Sequence, residues 1–352
     1  ILRHGAAFFL RRTFKGLRMY GEVFSAYVKV LVKDNTNIKF FIEGGRSRTG
    51  KLLPPKVGLL SFLLQAIDER AVPDLAFVPT YIGYDQIPEE KSYLKELSGK
   101  EKSKETFFDL FEARKVLSQC YGRVYLRFHE PISFTEFREK WKSAVGSASG
   151  VTGGKKLLND FANYLMRGIA KAGVITPIEL AAAALVCHGK QRVTRTEFLD
   201  AAGCFSDALS KEGSDFDDRL ADRDKALETA LAGFSSRGLV EPLLDGITTD
   251  PDGYMVAAKT KGNLEYYKNS LINTLWHVSL LGVALAGRGA EVSHASQVIK
   301  EDFRFLADLL SGEVIVDPFL TIDDAMEESV KLFWQCGWLK SCEGDLQASR
   351  LA

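Results

Sequence analysis

The chain has 352 residues, 46% hydrophobic and 26% charged, an ordinary globular composition with room for two domains, which excludes a collagen-like or disordered chain. Five irregularly spaced cysteines with no Cys-x-x-Cys pair exclude a disulfide-stapled scaffold and read as reduced thiols in a cytosolic setting. Net charge is zero, yet residues 1–150 carry 25 basic against 17 acidic side chains and residues 151–352 carry 21 against 29, so the first half attracts anions.

That bias is steepest in residues 1–56, with 12 basic against 3 acidic side chains, which favours phosphate-bearing ligands and anionic lipid surfaces. The sequence opens on Ile1 without the charged and apolar pattern of a secretory signal. Its weakly polar stretches at 178–186 and 278–286 fall short of the roughly 20 residues that cross a bilayer, so no membrane span is expected.

Residues 37–43 and 75–82 are short apolar runs bounded by turn residues, the pattern of buried parallel strands, and residues 57–70 between them have helical spacing. They predict a βαβ unit. An amphipathic helix over 104–120 and a strand over 122–129 follow, making the first region α/β. Residues 144–154, rich in Gly, Ser and Ala, predict a linker. The expected division is a domain over 1–145 and a mostly α-helical C-terminal domain over 155–352.

In that second region Thr176-Pro177 and Thr194 stand where helices start, the latter before a helix over 195–202. A helix over 224–238 and an extended piece at 254–257 give an order like that of a winged helix. The region is acidic and has no basic recognition helix, which argues against DNA binding. Trp334 and Trp338, four apart, predict an apolar stripe that packs a helix.

The chemistry concentrates in Phe41-Ile42-Glu43-Gly44-Gly45-Arg46-Ser47-Arg48-Thr49-Gly50-Lys51. Glycines let backbone amides approach an anion, Arg46 and Arg48 offer forked donors that match phosphate oxygens, and Lys51 adds a point charge. The stretch lacks the Lys-Ser/Thr ending of a nucleotide P-loop. By residue chemistry alone it is an anion-binding loop.

This stretch resembles the third motif block of the glycerol-3-phosphate acyltransferases. Ala6-Ala7-Phe8-Phe9-Leu10-Arg11-Arg12-Thr13-Phe14-Lys15-Gly16 is similar to their second block, and Phe77-Val78-Pro79-Thr80-Tyr81-Ile82-Gly83-Tyr84 to their fourth. Residues 91–104 and 264–273 resemble the family's later region. The resemblance implies an acyltransferase-type βαβ sheet core, N-terminally incomplete, and the transfer of a fatty acyl group from acyl-CoA or acyl-carrier protein to the sn-1 hydroxyl of glycerol 3-phosphate in phospholipid synthesis. It implies no cofactor beyond that co-substrate.

The resemblance also implies roles for individual residues. Arg12 matches the second-block arginine that binds the acceptor phosphate, with Arg11 and Lys15 as helpers. Glu43, Gly44, Gly45, Arg46, Ser47 and Arg48 fall in the substrate-binding third block, and Pro79 matches the fourth-block proline on the acyl-donor side. The family's first block is His-x-x-x-x-Asp, a general-base dyad. Five positions after His4, His129, His188, His277 and His294 stand Phe9, Phe134, Val193, Gly282 and Ile299, so no such pair exists here. The expectation is a chain cut after its catalytic block and inactive alone. Dihydroxyacetone phosphate is the alternative acceptor, and a non-catalytic phosphate- or lipid-binding protein the alternative class. The expected location is peripheral, on the cytoplasmic face of an anionic membrane, with no metal and no nucleic-acid partner.

Overall fold

A computed structural model describes residues 7–8, 16–87, 121–145, 151–243, 252–288, 294–342 and 345–348. The helix expected over 104–120 lies outside the described residues. The chain divides into two compact units: residues 1–44, 55–77 and 132–162 form one, and residues 45–54, 78–131 and 163–352 the other.

In the first unit, helix α1 (Arg18–Lys33) buries Phe24, Val28 and Val32 on one face, and α2 (Gly58–Asp68) buries Leu60, Leu63, Leu64 and Ile67, the recurrence of an amphipathic helix. Phe24 meets Phe62 edge to face at 5.2 Å, and Ser25 donates to Gln65 at 3.1 Å. Strand β1 (Ala76–Phe77) later pairs antiparallel with β4 (Ile132–Ser133). After β4 comes α3 (Phe134–Val145), whose Phe134 and Phe137 rings each lie 4.9 Å from Phe161. Phe161 belongs to α4 (Val151–Lys171), so Val151–Gly154, read from sequence as linker, already lie in a helix.

In the second unit, β2 (Thr80–Tyr84) pairs antiparallel with β3 (Val124–Phe128). The sequence predicts buried parallel strands here, and both features differ. Ile82, Tyr84, Val124, Leu126 and Phe128 are all exposed: alternation puts them on one face of the ribbon while Tyr81 and Tyr125 point to the other. The run 75–82 is broken at Pro79, which has no N–H for a ladder. Residues 37–43, the other predicted strand, form no ladder among the described residues. An apolar run signals burial, as at Ile42, but cannot specify a hydrogen-bonding neighbour.

Beyond α4, β5 (Val174–Ile175) pairs parallel with β7 (Asp215–Phe216). Helix α5 (Pro177–Val186), β6 (Arg192–Thr194), α6 (Arg195–Lys211), α7 (Arg223–Ser236), β8 (Glu241–Leu243) and β9 (Gly253–Met255) follow, with sheet order β6-β9-β8. This is a winged-helix arrangement. Both predicted helix starts are capping boxes: Thr176 accepts from Glu179 N–H and Thr194 from Glu197 N–H, each glutamate returning to the cap's backbone.

The arrangement then repeats. Helix α8 (Ala258–Lys268) leads through a 3₁₀ turn (Asn269–Leu271) into α9 (Ile272–Gly287), β10 (His294–Ala295), α10 (Ser296–Leu309), α11 (Ile322–Gln335), β11 (Leu339–Cys342) and β12 (Asp345–Ala348). The order is again helix, strand, helix, helix, strand, strand, with the last strand in the middle of its sheet (β10-β12-β11). Each repeat has its own core, one around Phe198, Leu227 and Phe234, the other around Leu281, Phe303 and Phe333.

The continuous helical stretch Ala258–Gly287 is long and apolar enough to cross a membrane. Its α9 half buries Leu275, Trp276, Leu281 and Leu285 as the first helix of the second repeat, so its apolarity has a place in that core. The predicted tryptophan stripe does not form, because α11 ends at Gln335. Trp334 is 42% exposed, and Trp338, beyond the turn, packs on Phe333 at 5.3 Å.

Candidate functional site

The glycine-rich stretch begins in the first unit. Residues 36–41 have no regular secondary structure, Ile42 is buried, and the chain turns where Gly44 N–H donates to Phe41 O at 3.0 Å. Lys56 N–H donates to Ile42 O at 2.7 Å. Gly44 has φ +62°, and a Cβ there would lie 2.8 Å from Lys56 Cγ, so both conformation and space call for glycine. Glu43 is half-buried at this turn.

Residues 45–54 belong to the second unit, where three contacts hold the loop on the C-terminal region. The Asn269 side-chain amide donates to Thr49 O at 2.8 Å. Gly50, at φ +80°, is packed so closely that a Cβ would stand 1.9 Å from Tyr266 O. Lys51 Nζ meets Glu313 Oε2 at 2.8 Å, and that bond holds the Glu313 carboxyl below its usual range. Sequence reasoning missed Tyr266, Asn269 and Glu313, which lie more than 200 residues along the chain from the loop. The signal available for the first two was the resemblance of 264–273 to a family region.

Between these anchors stand Arg46, Ser47 and Arg48. The arginine side chains are exposed. Ser47 Oγ is fully buried and makes no hydrogen bond among the described residues. A buried hydroxyl without a partner costs about 1–3 kcal/mol, a cost that an acceptor arriving with a ligand removes. Two guanidinium groups and an unpaired hydroxyl in three consecutive residues suit a phosphate, whose oxygens accept from all three. Lys51, read from sequence as a further phosphate cation, has its ammonium on Glu313.

Pro79 is buried between β1 and β2, and its carbonyl accepts from His129 N–H at 2.9 Å. Its visible work is to continue the ribbon where its own nitrogen cannot donate. His129 Nδ1 is 2.9 Å from Glu130 O, a local contact. Arg11, Arg12 and Lys15 lie outside the described residues. Cys187, Cys204 and Cys336 form no disulfide. Among the described residues no cluster of His, Cys, Asp and Glu is arranged to hold a metal.

Two family models match the chain. One, described as glycerol-3-phosphate acyltransferase C-terminal region, covers residues 93–351, and the other, described as acyltransferase, covers residues 1–83. Curated proteins named glycerol-3-phosphate acyltransferase are similar to most of the chain. That of Alteromonas mediterranea is 30% identical over 334 residues, 93% of this chain and 39% of its own. That of Pseudoalteromonas atlantica is 33% identical over 285 residues, 78% of this chain and 34% of its own. A relative from Ectopseudomonas mendocina is 40% identical over 195 residues, 54% of this chain and 24% of its own. The chain spans about two fifths or less of the length of these relatives. With a C-terminal-region model matched over more than half its length, the chain belongs to the glycerol-3-phosphate acyltransferase family.

Proposed function

We propose that this protein is a glycerol-3-phosphate 1-O-acyltransferase, in which the segment Glu43–Arg48 holds the phosphate of the acceptor. The observation that carries the reading is the buried, unpaired Ser47 hydroxyl between Arg46 and Arg48, in a chain of this family. Arg11, Arg12 and Lys15 complete the phosphate contacts, and Pro79 belongs to the acyl-donor side. The reading keeps an acyltransferase-type core in which residues 37–43, α2 and β1–β2 follow one another in the chain order of a βαβ unit. It also keeps a division into an acyltransferase domain over 1–145 and a C-terminal domain over 155–352.

In the reaction the sn-1 oxygen attacks the thioester carbonyl, the tetrahedral oxyanion collapses, and the thiolate leaves with the proton the hydroxyl gave up. Positioned donors stabilise that oxyanion, so no metal is required. The residues of this chain bind and orient the acceptor. The proton is taken by a histidine–aspartate pair of the His-x-x-x-x-Asp kind, which this sequence does not contain. The protein works peripherally on the cytoplasmic face of an anionic membrane, drawn there by the basic residues of 1–56.

Dihydroxyacetone phosphate carries the same anion and is the competing acceptor. Acyl transfer by the whole protein, measured with each acceptor and with the acyl position determined in the product, tests the reading. A 1-acyl product from glycerol 3-phosphate supports it. Transfer to dihydroxyacetone phosphate alone moves the protein to the other branch, and transfer to neither overturns it.

A further inference from the structure

The end of α8 and the turn after it lie against the anion loop from the opposite end of the sequence. Asn269 holds Thr49 O at 2.8 Å, and the backbone at Tyr266 closes so tightly on Gly50 that nothing larger than glycine fits. In the chain Lys268 falls between Tyr266 and Asn269, and Lys51 of the loop is near enough to act on its charge. Lys268 is half-buried, and among the described residues its ammonium makes no hydrogen bond. Its neighbour across the loop, Lys51, is held by Glu313, with Nζ to Oε2 at 2.8 Å.

We propose that the C-terminal region completes the anion site of the loop Gly45–Lys51, with Lys268 as a further phosphate-binding cation and Asn269 as the positioning residue that fixes the loop at Thr49. The inference rests on the reading of that loop as the acceptor-phosphate site. A lysine taken partly out of water without a hydrogen-bond partner is poised for an anion, because ligand oxygens restore what burial removed. Burial pulls the Lys268 ammonium below its usual range; Glu265 draws it back, while Lys51 and Lys261 push it further down. The lysines therefore share one positive field, which a phosphate dianion relieves. Asn269 acts at one remove. Its amide fixes a carbonyl one residue from Arg48, so the arginines and Ser47 are presented in one geometry instead of being ordered when the ligand arrives, a cost that binding would otherwise carry.

Calorimetric titration of the chain with glycerol 3-phosphate, and separately with inorganic phosphate, tests this. Losing a charge-assisted contact costs about 1.5–3 kcal/mol and a neutral one about 1 kcal/mol, so Lys268→Gln raises Kd for both ligands about tenfold or more and Asn269→Ala about fivefold. Lys268→Arg retains binding to within a few-fold, and Lys259→Gln, an exposed lysine on the same helix, leaves it unchanged. In the unsubstituted protein, saturating phosphate slows reductive methylation of Lys268. Arg46→Gln and Ser47→Ala report on the loop itself. If neither weakens binding, or if the chain binds no phosphate, the reading of the loop falls and this inference with it. If they weaken binding while Lys268→Gln does not, or if phosphate leaves Lys268 fully reactive, the loop reading stands and the role of Lys268 is overturned.

Discussion

Arg219 grips Asp85 in a two-pronged pair, Nη1 to Oδ2 and Nη2 to Oδ1 each at 2.9 Å, while its Nε donates to Asp217 Oδ1 at 2.8 Å. Asp85 follows β2, and Asp217 opens the 3₁₀ turn Asp218–Asp222 before α7. The Tyr125 hydroxyl joins the cluster from β3. One arginine therefore fastens the end of the fourth motif block to the first winged-helix repeat. Both carboxylates are buried, at 6% and 4% exposure. Arg219→Leu takes from Asp85 its guanidinium partner and leaves Asp217 with only the longer Arg123 contact at 3.4 Å, and should cost about 3 kcal/mol, with Arg219→Lys intermediate because an ammonium cannot reproduce the fork. Denaturant unfolding measures the loss; a change under 1 kcal/mol would show the cluster to be surface decoration.

Glu179 gives the stability of the chain a pH dependence. Its carboxylate closes the Thr176 capping box, accepting from Thr176 N–H at 2.9 Å. Burial nonetheless pushes its pKa up from 4.5 to about 7, against the hydrogen bonds from Ser270 and Thr176 that lower it. The raised folded value means that the folded chain keeps a proton that the unfolded chain has released. Its stabilising contribution is full below pH 4.5 and is lost as pH rises to about 7, by about 3 kcal/mol in all. Glu179→Gln should flatten this dependence in unfolding measured from pH 5 to 8. An unchanged slope in the variant assigns it to another group.

Gly50→Ala combines a left-handed backbone with a Cβ directed into Tyr266 O. The loop must move off α8, so glycerol 3-phosphate affinity should fall about tenfold or more, while global stability falls by about 1–3 kcal/mol. Isothermal titration and thermal unfolding of one sample separate the two effects. Retained affinity would show that the loop's seat on α8 does not matter for the ligand.

The membrane attachment proposed for the basic residues of 1–56 is of an electrostatic kind. Each Lys or Arg near an anionic surface contributes about 1 kcal/mol and is screened within about 10 Å at 0.1 M salt. The whole protein should co-sediment with phosphatidylserine-containing vesicles, leave them as salt rises and ignore phosphatidylcholine vesicles. Retention through a high-salt wash points instead to an apolar anchor.

Features set within a few residues were legible in the sequence. Thr176-x-x-Glu179 and Thr194-x-x-Glu197 mark helix starts because a capping box closes within one turn. The third block stood out because Gly, Arg and Ser crowd into a few positions. What depends on distant pairing was not legible. The second winged-helix repeat is built on strands as short as His294–Ala295, which exist only because β12 lies beside them. The run 37–43 has the composition of a strand but no ladder partner among the described residues. The seat of the loop on Tyr266, Asn269 and Glu313 joins segments that no local pattern connects.

The proposed hold of Arg46, Ser47 and Arg48 on the acceptor phosphate is read out by the steady-state kinetics of Arg46→Gln in the whole protein. Loss of a charge-assisted phosphate contact of about 1.5–3 kcal/mol should raise KM for glycerol 3-phosphate roughly ten- to hundredfold and leave KM for the acyl donor within about twofold. Equal losses on both substrates, or an unchanged KM for glycerol 3-phosphate, would contradict it.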